Sequence, residues 1–359
     1  MASSSDIISY NCCHDAAVCY LKDGKINWFL EEERTSRKKH DHRPYLTLTK
    51  AVEQVDGVDW ALHTTLHHND DPKLGDRVMN FCLELIHKVT FRTKKETKPK
   101  FMDCSDEHHL HHAALGFYNS GFKEATCLIV DGAGAWVDGG GHEVETIYKA
   151  SYPHSFEKLH QKAVAWYTGS KLTESTIGIG FVYAGVSAYL GFGTLGCGKL
   201  MGLAPYGEND PNIKPFVVDG EIDKSLWIRD KNGVQLIPYD YIDPKKSPDH
   251  EHSFRSQCNL AWRCQKDFET YMIALIKKSI DMGGSKNLVL SGGCALNCVA
   301  NYEYLKHLPE DVKLYVEPVS ADSGTAAGMA MYGWRNLTKS TEIYPLKDLY
   351  WGPKHEILL

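Results

Sequence analysis

Four histidines lie within five consecutive positions of this chain: His108, His109, His111 and His112. If the segment is helical, His108 and His112 are four positions apart and project from the same face, one turn apart. Two imidazoles at this spacing can bind a borderline metal ion such as Zn²⁺ or Fe²⁺. The small and apolar residues that follow favour a buried helix over a solvated tract. The alternative is a polar helix end whose histidines only make hydrogen bonds. His111 would point away from the metal-binding face.

The size and charge of the chain limit the classes of protein to consider. Its 359 residues are enough for two domains or one large two-lobed domain. The net charge of −6 gives no overall attraction to nucleic acid or acidic membranes. A basic stretch from Arg92 to Lys100 is either a solvated loop or a phosphate contact.

The cysteines and the N-terminus indicate the compartment. Eleven cysteines show no disulfide spacing, and the first residues lack the pattern of a secretory signal. No apolar run is long enough to span a membrane. We therefore expect reduced thiols, a cytoplasmic location and no membrane association.

The elements that must position the histidines follow an α/β pattern. Two apolar runs around the Asp-Gly turn at 22–25 predict a hairpin over 16–30. The polar segment at 208–256 is expected to be an insertion. Helices are expected over 45–55, around 268–276, from Ala295 and over 325–330, and buried strands over 126–130, 287–290 and 313–316.

Turns suited to a nucleotide follow two of these strands. Asp131, Gly132 and Gly134 follow the first strand, and Gly292 and Gly293 follow the second. Backbone N–H groups in such turns can face a phosphate, and an adjacent Asp can hold a metal ion or water. A glycine pair also allows a nucleotide to approach the backbone closely. Repeated turns of this kind predict a duplicated nucleotide-binding architecture with a cleft between two lobes.

Six ordered segments carry a resemblance that runs almost from end to end of the chain. They are His14–Ala17 with Asp23, Gly24 and Glu31–His40; His108–Ala114; Val130–Gly134; Gly191 and Phe192 with Gly198–Gly207; Leu290–Asn297 with Asn301; and Pro318–Gly328. In this order they resemble the O-carbamoyltransferases of antibiotic and nodulation-factor biosynthesis. That family shares a domain with the threonylcarbamoyl-adenosine tRNA synthases.

The resemblance implies an architecture. The fold would be a two-lobed α/β fold of the sugar kinase/actin/Hsp70 group, built from two RNase H-like units. Residues 1–124 would form the N-terminal lobe with the histidine motif. Residues 125–359 would form the second lobe with the glycine-rich nucleotide motifs.

The resemblance also implies a reaction and its residues. A carbamoyl group would pass from carbamoyl-adenylate to an acceptor hydroxyl. His108, His112 and Asp322 would form a facial two-histidine, one-carboxylate site, which suits Fe²⁺ and allows Zn²⁺. His14, oriented by Asp15, would be the general base. His109 would lie behind the metal or face the substrate. The nucleotide would be held by Asp131, Gly132, Gly134, Lys199, Gly202, Gly292, Gly293, Asn297 and Asn301, with Lys199 in a phosphate-binding loop from Gly198 to Gly202.

Two features depart from the family pattern. The acidic residue that usually follows the Asp-Gly-x-Gly turn is Ala135 here, and Asp138 and Glu143 are candidates for its role. The chain also stops soon after Leu346–Pro353, which in the family introduces a second domain that makes carbamoyl-adenylate from carbamoyl phosphate and ATP. A separate adenylate-forming subunit is therefore expected. The acceptor alcohol is open between a sugar-like small molecule and a hydroxymethylated pyrimidine, free or within DNA.

Two other functions stay open at this point. A kinase or ATPase of the same fold would hold Mg²⁺ on carboxylates such as Asp131. A non-catalytic nucleotide-binding regulatory subunit would need no metal-binding histidines. The presence of His14, His108, His112 and Asp322 together favours an enzyme that transfers the carbamoyl group.

Overall fold

The computed structural model describes most of the chain. The described residues are 5–55, 57–65, 77, 79–86, 99–138, 141–164, 177–223, 228–229, 235–236 and 250–353. The basic stretch at 92–98 and most of the expected insertion at 208–256 lie outside these residues. In the described part of the chain, no helix combines the length and apolar character that crossing a membrane requires.

The first sheet is built from the first hundred residues. Its strands are β1 (Ile7–Cys12), β2 (Ala17–Lys22), β3 (Lys25–Glu31), β4 (Trp60–Thr65) and β5 (Lys100–Asp103). They lie in the order β3-β2-β1-β4-β5, with β2 antiparallel to β1 and β3, and β4 and β5 parallel to β1. The predicted hairpin is confirmed as β2 and β3. Asp23 and Gly24 at its turn have φ of 49° and 76°, the positive values that a tight hairpin of this type needs.

The second sheet repeats the first. The remaining strands are β6 (Glu124–Val130), β7 (Trp136–Val137), β8 (Gly141–Ser151), β9 (Ser155–Val164), β10 (Val217–Val218), β11 (Glu221–Ile222), β12 (Ile228–Arg229), β13 (Gln235–Leu236), β14 (Asn287–Ser291) and β15 (Lys313–Val316). The second sheet contains five of these strands in the order β9-β8-β6-β14-β15, and the short β7 also pairs with β8. β10 pairs with β11 and β12 with β13 outside this sheet. β8 is antiparallel to β6 and β9, whereas β14 and β15 are parallel to β6. The strand order and directions of the first sheet therefore recur, and the duplicated RNase H-like fold of the sugar kinase/actin/Hsp70 group is confirmed.

Helices cover both sheets and fill the space between them. They include α1 (Glu32–Ser36), α2 (Tyr45–Glu53), α3 (His108–Ser120), α4 (Ile179–Tyr189), α5 (Cys197–Leu203), α6 (His250–Gly283), α7 (Cys298–Tyr304) and α8 (Gly324–Thr338). α3 and α8 lie side by side between the sheets, with α3 against the second sheet and α8 against the first. A side chain at Gly328 would begin 1.9 Å from the backbone oxygen of His111, so the helices approach at backbone distance. α2 packs on the outer face of the first sheet, and α4 and α6 pack on that of the second.

Most predicted elements are confirmed, and two details differ. The segment Gly198–Gly202, expected to be a loop, lies in α5, because burial of Leu200 in the core anchors a helical turn there. The helix expected from Ala295 begins at Cys298, after a 3₁₀ turn over Gly293–Leu296. The expected boundary between residues 124 and 125 falls after the first residue of β6, and α3 and α8 each pack on the other unit's sheet. The boundary therefore stays a prediction.

Candidate active site

Two pairs of equivalent segments meet between the sheets. The turn after β1 carries His14, and the equivalent turn after β6 carries Asp131. The first turns of α3 carry His108 and His112, and the equivalent helix α8 begins two residues after Asp322. Ligand sites in α/β folds lie at the carboxyl ends of strands. Because the two units are equivalent, the carboxyl ends of β1 and β6 and the N-termini of α3 and α8 meet at one place between the sheets.

A cluster of two imidazoles and two carboxylates forms the centre of this point. Nε2 of His108 lies 3.1 Å from Nε2 of His112. Oδ2 of Asp131 lies 3.3 Å and 3.4 Å from these two nitrogens. Oδ1 of Asp322 lies 3.6 Å and 3.7 Å from them. All four side chains are buried, and their ligand atoms lie within 4.8 Å of one another.

The four groups strongly perturb one another. Burial lowers the pKa of His108, but Asp322 and Asp131 outweigh burial and raise that pKa to about 10. The pKa of His112 is also raised, since its hydrogen bonds to the same carboxylates outweigh burial. Burial raises the pKa of Asp131 and of Asp322, and the charge of Asp322 raises that of Asp131 further. His108 and His112 outweigh these effects and hold the pKa of both carboxyl groups below the usual range. The two carboxylates therefore draw positive charge onto this site.

These residues fit a divalent transition-metal ion. Oδ2 of Asp322 is buried and accepts no well-oriented hydrogen bond among the described residues, although Nε2 of His14 lies 3.3 Å from it. Two imidazole nitrogens with carboxylate oxygens suit Zn²⁺ or Fe²⁺, whereas Mg²⁺ prefers oxygen ligands alone. An ion bound here would supply the positive charge that the histidines otherwise carry as bound protons. His108, His112 and Asp322 lie together as the sequence reasoning expected, and Asp131 joins them.

Asp322 is held in place by the first sheet. The side-chain amide of Asn11 donates to its backbone oxygen at 3.0 Å and also accepts from the backbone nitrogen of Ala17 at 2.6 Å. The hydroxyl of Ser9 donates to the backbone oxygen of Ala326 at 2.7 Å. Residues of β1 therefore fix the start of α8, although more than 300 positions separate them along the chain.

His14 lies at the solvent side of the cluster. Its Nε2 lies 3.3 Å from Oδ2 of Asp322, and its Nδ1 lies 2.9 Å from Oδ2 of Asp15. His40 approaches the other oxygen of Asp15 at 2.7 Å, so Asp15 bridges two imidazoles. The side chain of His14 is 35% exposed, against 5% for Asp322. Burial lowers the pKa of His14, but Asp15 and Asp322 raise it to about 9.

His109 lies behind the turn that follows β6. It is fully buried, and its Nδ1 lies 2.7 Å from the hydroxyl of Thr146. A side chain at Gly134 would begin 2.8 Å from its ring, so the glycine allows the turn to pack on it. Oε1 of Glu143 accepts from the backbone nitrogens of His109 and Ala135. Both His109 and Glu143 thus hold the turn in shape, and neither is exposed to a substrate.

The glycines expected at the nucleotide lie around the carboxylate of Asp131. Gly292 has φ of 90°, and a side chain there would begin 2.5 Å from the backbone oxygen of Val130. A side chain at Gly293 would begin 2.8 Å from Oδ1 of Asp131. Gly132 donates its backbone N–H to the same oxygen at 2.6 Å, and a side chain at Gly132 would meet open space. Both turns therefore present backbone without side chains beside the cluster of two histidines and two aspartates.

The other residues expected to bind the nucleotide differ in how far their polar atoms are already bonded within the protein. The side chain of Asn297 caps α7 and exchanges hydrogen bonds with Gln265. Asn301 donates to the backbone oxygen of Ala295, while its Oδ1 is buried with no hydrogen-bond partner in the part of the chain that the structure describes. Lys199 and Gly202 are exposed on α5. Asn301 keeps one polar atom for a ligand, whereas the polar atoms of Asn297 are already bonded.

Sequence reasoning left Asp131 out of the two-histidine, one-carboxylate set and missed His40. It assigned Asp131 to the nucleotide, with a metal ion or water as a general possibility for its turn, whereas the structure places its carboxylate within 3.4 Å of both His108 and His112. Its position after a buried strand was a usable signal, but its approach to α3 is a tertiary contact. His40 had no spacing signal, because 25 residues separate it from Asp15.

Comparison with known proteins identifies relatives of the whole described fold. Residues 73–331 match the family model described as the N-terminus of carbamoyltransferases. The nodulation protein NolNO of Sinorhizobium fredii is 26% identical over 95% of this chain and 49% of its own length. An uncharacterised Synechocystis protein is 26% identical over 95% of this chain and 59% of its own length. The chain thus spans about half the length of the curated relatives it matches.

Solved structures support the fold. Full-length HypF, crystallised in a phosphate- and nucleotide-bound form, superposes with a TM-score of 0.52 at 13% identity, over 93% of this chain and 56% of HypF. HypF from T. kodakarensis gives the same TM-score at 15% identity, over 93% of this chain and 48% of that protein. At this level of identity the similarity is one of fold.

Proposed function

Because this chain belongs to the carbamoyltransferase N-terminal family, we propose that it moves a carbamoyl group from carbamoyl-adenylate to an acceptor hydroxyl. The observation that carries the proposal is the position of His14. Its Nε2 faces the cluster of two histidines and two aspartates, while Asp15 holds its Nδ1. This arrangement places a base beside a site for a Lewis acid.

The reaction forms one bond and breaks one. The acceptor oxygen bonds to the carbamoyl carbon, the bond from that carbon to the phosphate oxygen breaks, and AMP leaves. The acceptor proton goes to Nε2 of His14, because Asp15 occupies Nδ1 and orients the ring. When bound, a divalent ion at His108, His112 and the aspartates would polarise the carbamoyl carbonyl and offset the carboxylate charge that raises the pKa of His14. With its pKa nearer to neutrality, His14 would be a more effective base.

Bare backbone beside the cluster supports binding of the adenylate. Gly132 and Gly293 carry no side chains next to Asp131, and a phosphate can approach the backbone of such turns closely. Lys199, exposed on α5, is the proposed contact for the phosphate charge. The unpartnered Oδ1 of Asn301 is a proposed acceptor for the adenosine. Which carbamoyl acceptor the cleft takes, and whether a separate subunit supplies the adenylate, stay predictions.

One assay tests the proposal against the two other functions. The purified chain, loaded with Fe²⁺ or Zn²⁺, is incubated with synthetic carbamoyl-adenylate and either sugars or hydroxymethylated pyrimidine nucleosides and DNA. AMP and the carbamoylated product are measured by chromatography and mass spectrometry. We expect both to form in equal amounts with one class of acceptor, and both to fall with His14→Ala. A parallel incubation contains ATP in place of carbamoyl-adenylate, and nucleotide binding is measured by calorimetry. ADP formed from ATP and acceptor would indicate a kinase, and nucleotide binding without any product would indicate a regulatory subunit.

A further inference from the structure

A second group of metal-ligating side chains lies outside the site described above. Cys104, Glu107 and His111 offer one sulfur, one carboxylate oxygen and one imidazole nitrogen, all within 4.8 Å of one another. Cys104 follows β5, Glu107 lies in the 3₁₀ turn before α3, and His111 lies in the first turn of α3. The proposed carbamoyl transfer uses none of them.

His111 shows that this group lacks a partner. Its side chain is fully buried, and neither Nδ1 nor Nε2 has a hydrogen-bond partner in the described part of the chain. Buried polar atoms in native proteins are bonded in the great majority of cases, since leaving them unpaired costs free energy. An imidazole with two unpaired nitrogens therefore points to a ligand.

His111 and Glu107 are too far apart for a hydrogen bond but close enough to share an ion after a small movement. Nε2 of His111 lies 3.9 Å from Oε2 of Glu107, which is too long for a hydrogen bond. In a tetrahedral zinc site with bonds of ~2.1 Å, two such ligand atoms lie roughly 3.4 Å apart. The side chain of Glu107 is 46% exposed, so it can rotate to close this difference of about 0.5 Å.

There is also space for an ion and its water. A cavity of about 120 Å³ is lined by all three side chains and by Leu62, Met102 and Tyr332. Apart from Tyr332 and Asn336, its other walls are apolar or glycine, so Cys104, Glu107 and His111 supply the metal-binding groups of the cavity. An open fourth position in this cavity would take a water molecule.

We propose that Cys104, Glu107 and His111 bind a Zn²⁺ ion, with water as the fourth ligand. Thiolate, imidazole and carboxylate together form a mixed set that Zn²⁺ accepts in tetrahedral geometry. The ion connects the end of β5 to the first turn of α3. His108 lies in the same turn and His112 in the next, so the ion steadies the helix end that positions them. The zinc site and the proposed carbamoyl transfer depend on different residues. An experiment can therefore refute one of the two proposals without refuting the other.

Cobalt substitution distinguishes this site from the first one. The purified chain is stripped of metal with a chelator and loaded with Co²⁺, whose bond to a thiolate produces a charge-transfer absorption in the near ultraviolet. The first cluster contains no cysteine, although the Cys13 thiol lies near Asp322. We expect the absorption in the wild type and in Cys13→Ser, and its loss in Cys104→Ser. Zinc content should fall by one equivalent in both Cys104→Ser and His111→Ala.

Any of three other outcomes overturns the proposal: the absorption is missing from the wild type, it persists in Cys104→Ser, or it disappears only in Cys13→Ser. If Cys104→Ser does not fold, Glu107→Gln replaces a half-exposed ligand with a neutral side chain of the same size. This variant should keep the wild-type circular dichroism and bind Zn²⁺ at least about tenfold more weakly, which corresponds to 1.4 kcal/mol. Zn²⁺ affinity equal to that of the wild type would show that Glu107 is no ligand and would refute the site.

Discussion

Replacing Gly292 by alanine is expected to destabilise the protein, because the backbone there excludes a side chain. Its φ of 90° with ψ of 164° is a conformation that costs a residue with a side chain about 1–3 kcal/mol. The new methyl group would also begin 2.5 Å from the backbone oxygen of Val130, and such overpacking costs typically ~1–3 kcal/mol. Lower entropy of the unfolded chain offsets ~0.4–1 kcal/mol. We expect a net loss of about 1–6 kcal/mol.

Gly132→Ala is the matched control for this prediction. A methyl group at Gly132 meets nothing within 4 Å, so stability should stay the same or rise by up to ~1 kcal/mol from the lower entropy of the unfolded chain. Thermal unfolding followed by circular dichroism should show a melting temperature lowered by roughly 1–8 °C for Gly292→Ala and unchanged or raised by about 1 °C for Gly132→Ala. Nucleotide binding should weaken in Gly132→Ala even though the fold is intact, because its methyl group fills the space beside Asp131. Equal melting temperatures for the two variants would refute the reasoning.

Three further predictions concern the charged side chains. Asp131→Asn should lower the Fe²⁺ or Zn²⁺ content of the purified protein, because its carboxylate lies 3.3 Å from His108; unchanged content in elemental analysis would exclude Asp131 as a ligand. His14→Ala should keep metal and nucleotide binding but lose ~10²–10⁴-fold in turnover, and near-normal AMP release at neutral pH would contradict its role as base. Burial lowers the pKa of His109 to about 4 and of His111 to about 3, so between pH 4 and 6.5 only the unfolded chain protonates them. The free energy of unfolding of chelator-treated protein should then rise with pH in this window, by up to ~2.7 kcal/mol per pH unit for the two histidines together. Urea titrations at several pH values should show that His111→Gln halves this slope.

The sequence alone was sufficient for the local elements and for one face of the site. The spacing of His108 and His112 determines that the two imidazoles share a helix face, since an α-helix turns once in 3.6 residues. Apolar runs ended by Asp-Gly or Gly-Gly pairs predicted the hairpin and the strands that lead to Asp131 and Gly292. Each of these features depends on residues only a few positions apart, so local pattern is enough to find them.

The contacts between distant segments were decided by the tertiary structure. The carboxylate of Asp131 lies between His108 and His112 because β6 and α3 pack together, and no spacing in the sequence encodes that contact. Likewise, Asn11 holds the backbone of Asp322 across 311 positions of the chain. The pairing of the two units around α3 and α8 sets which side chains become buried neighbours. Burial beside opposite charge, and not residue type, then determines which groups hold a proton and which attract a metal ion.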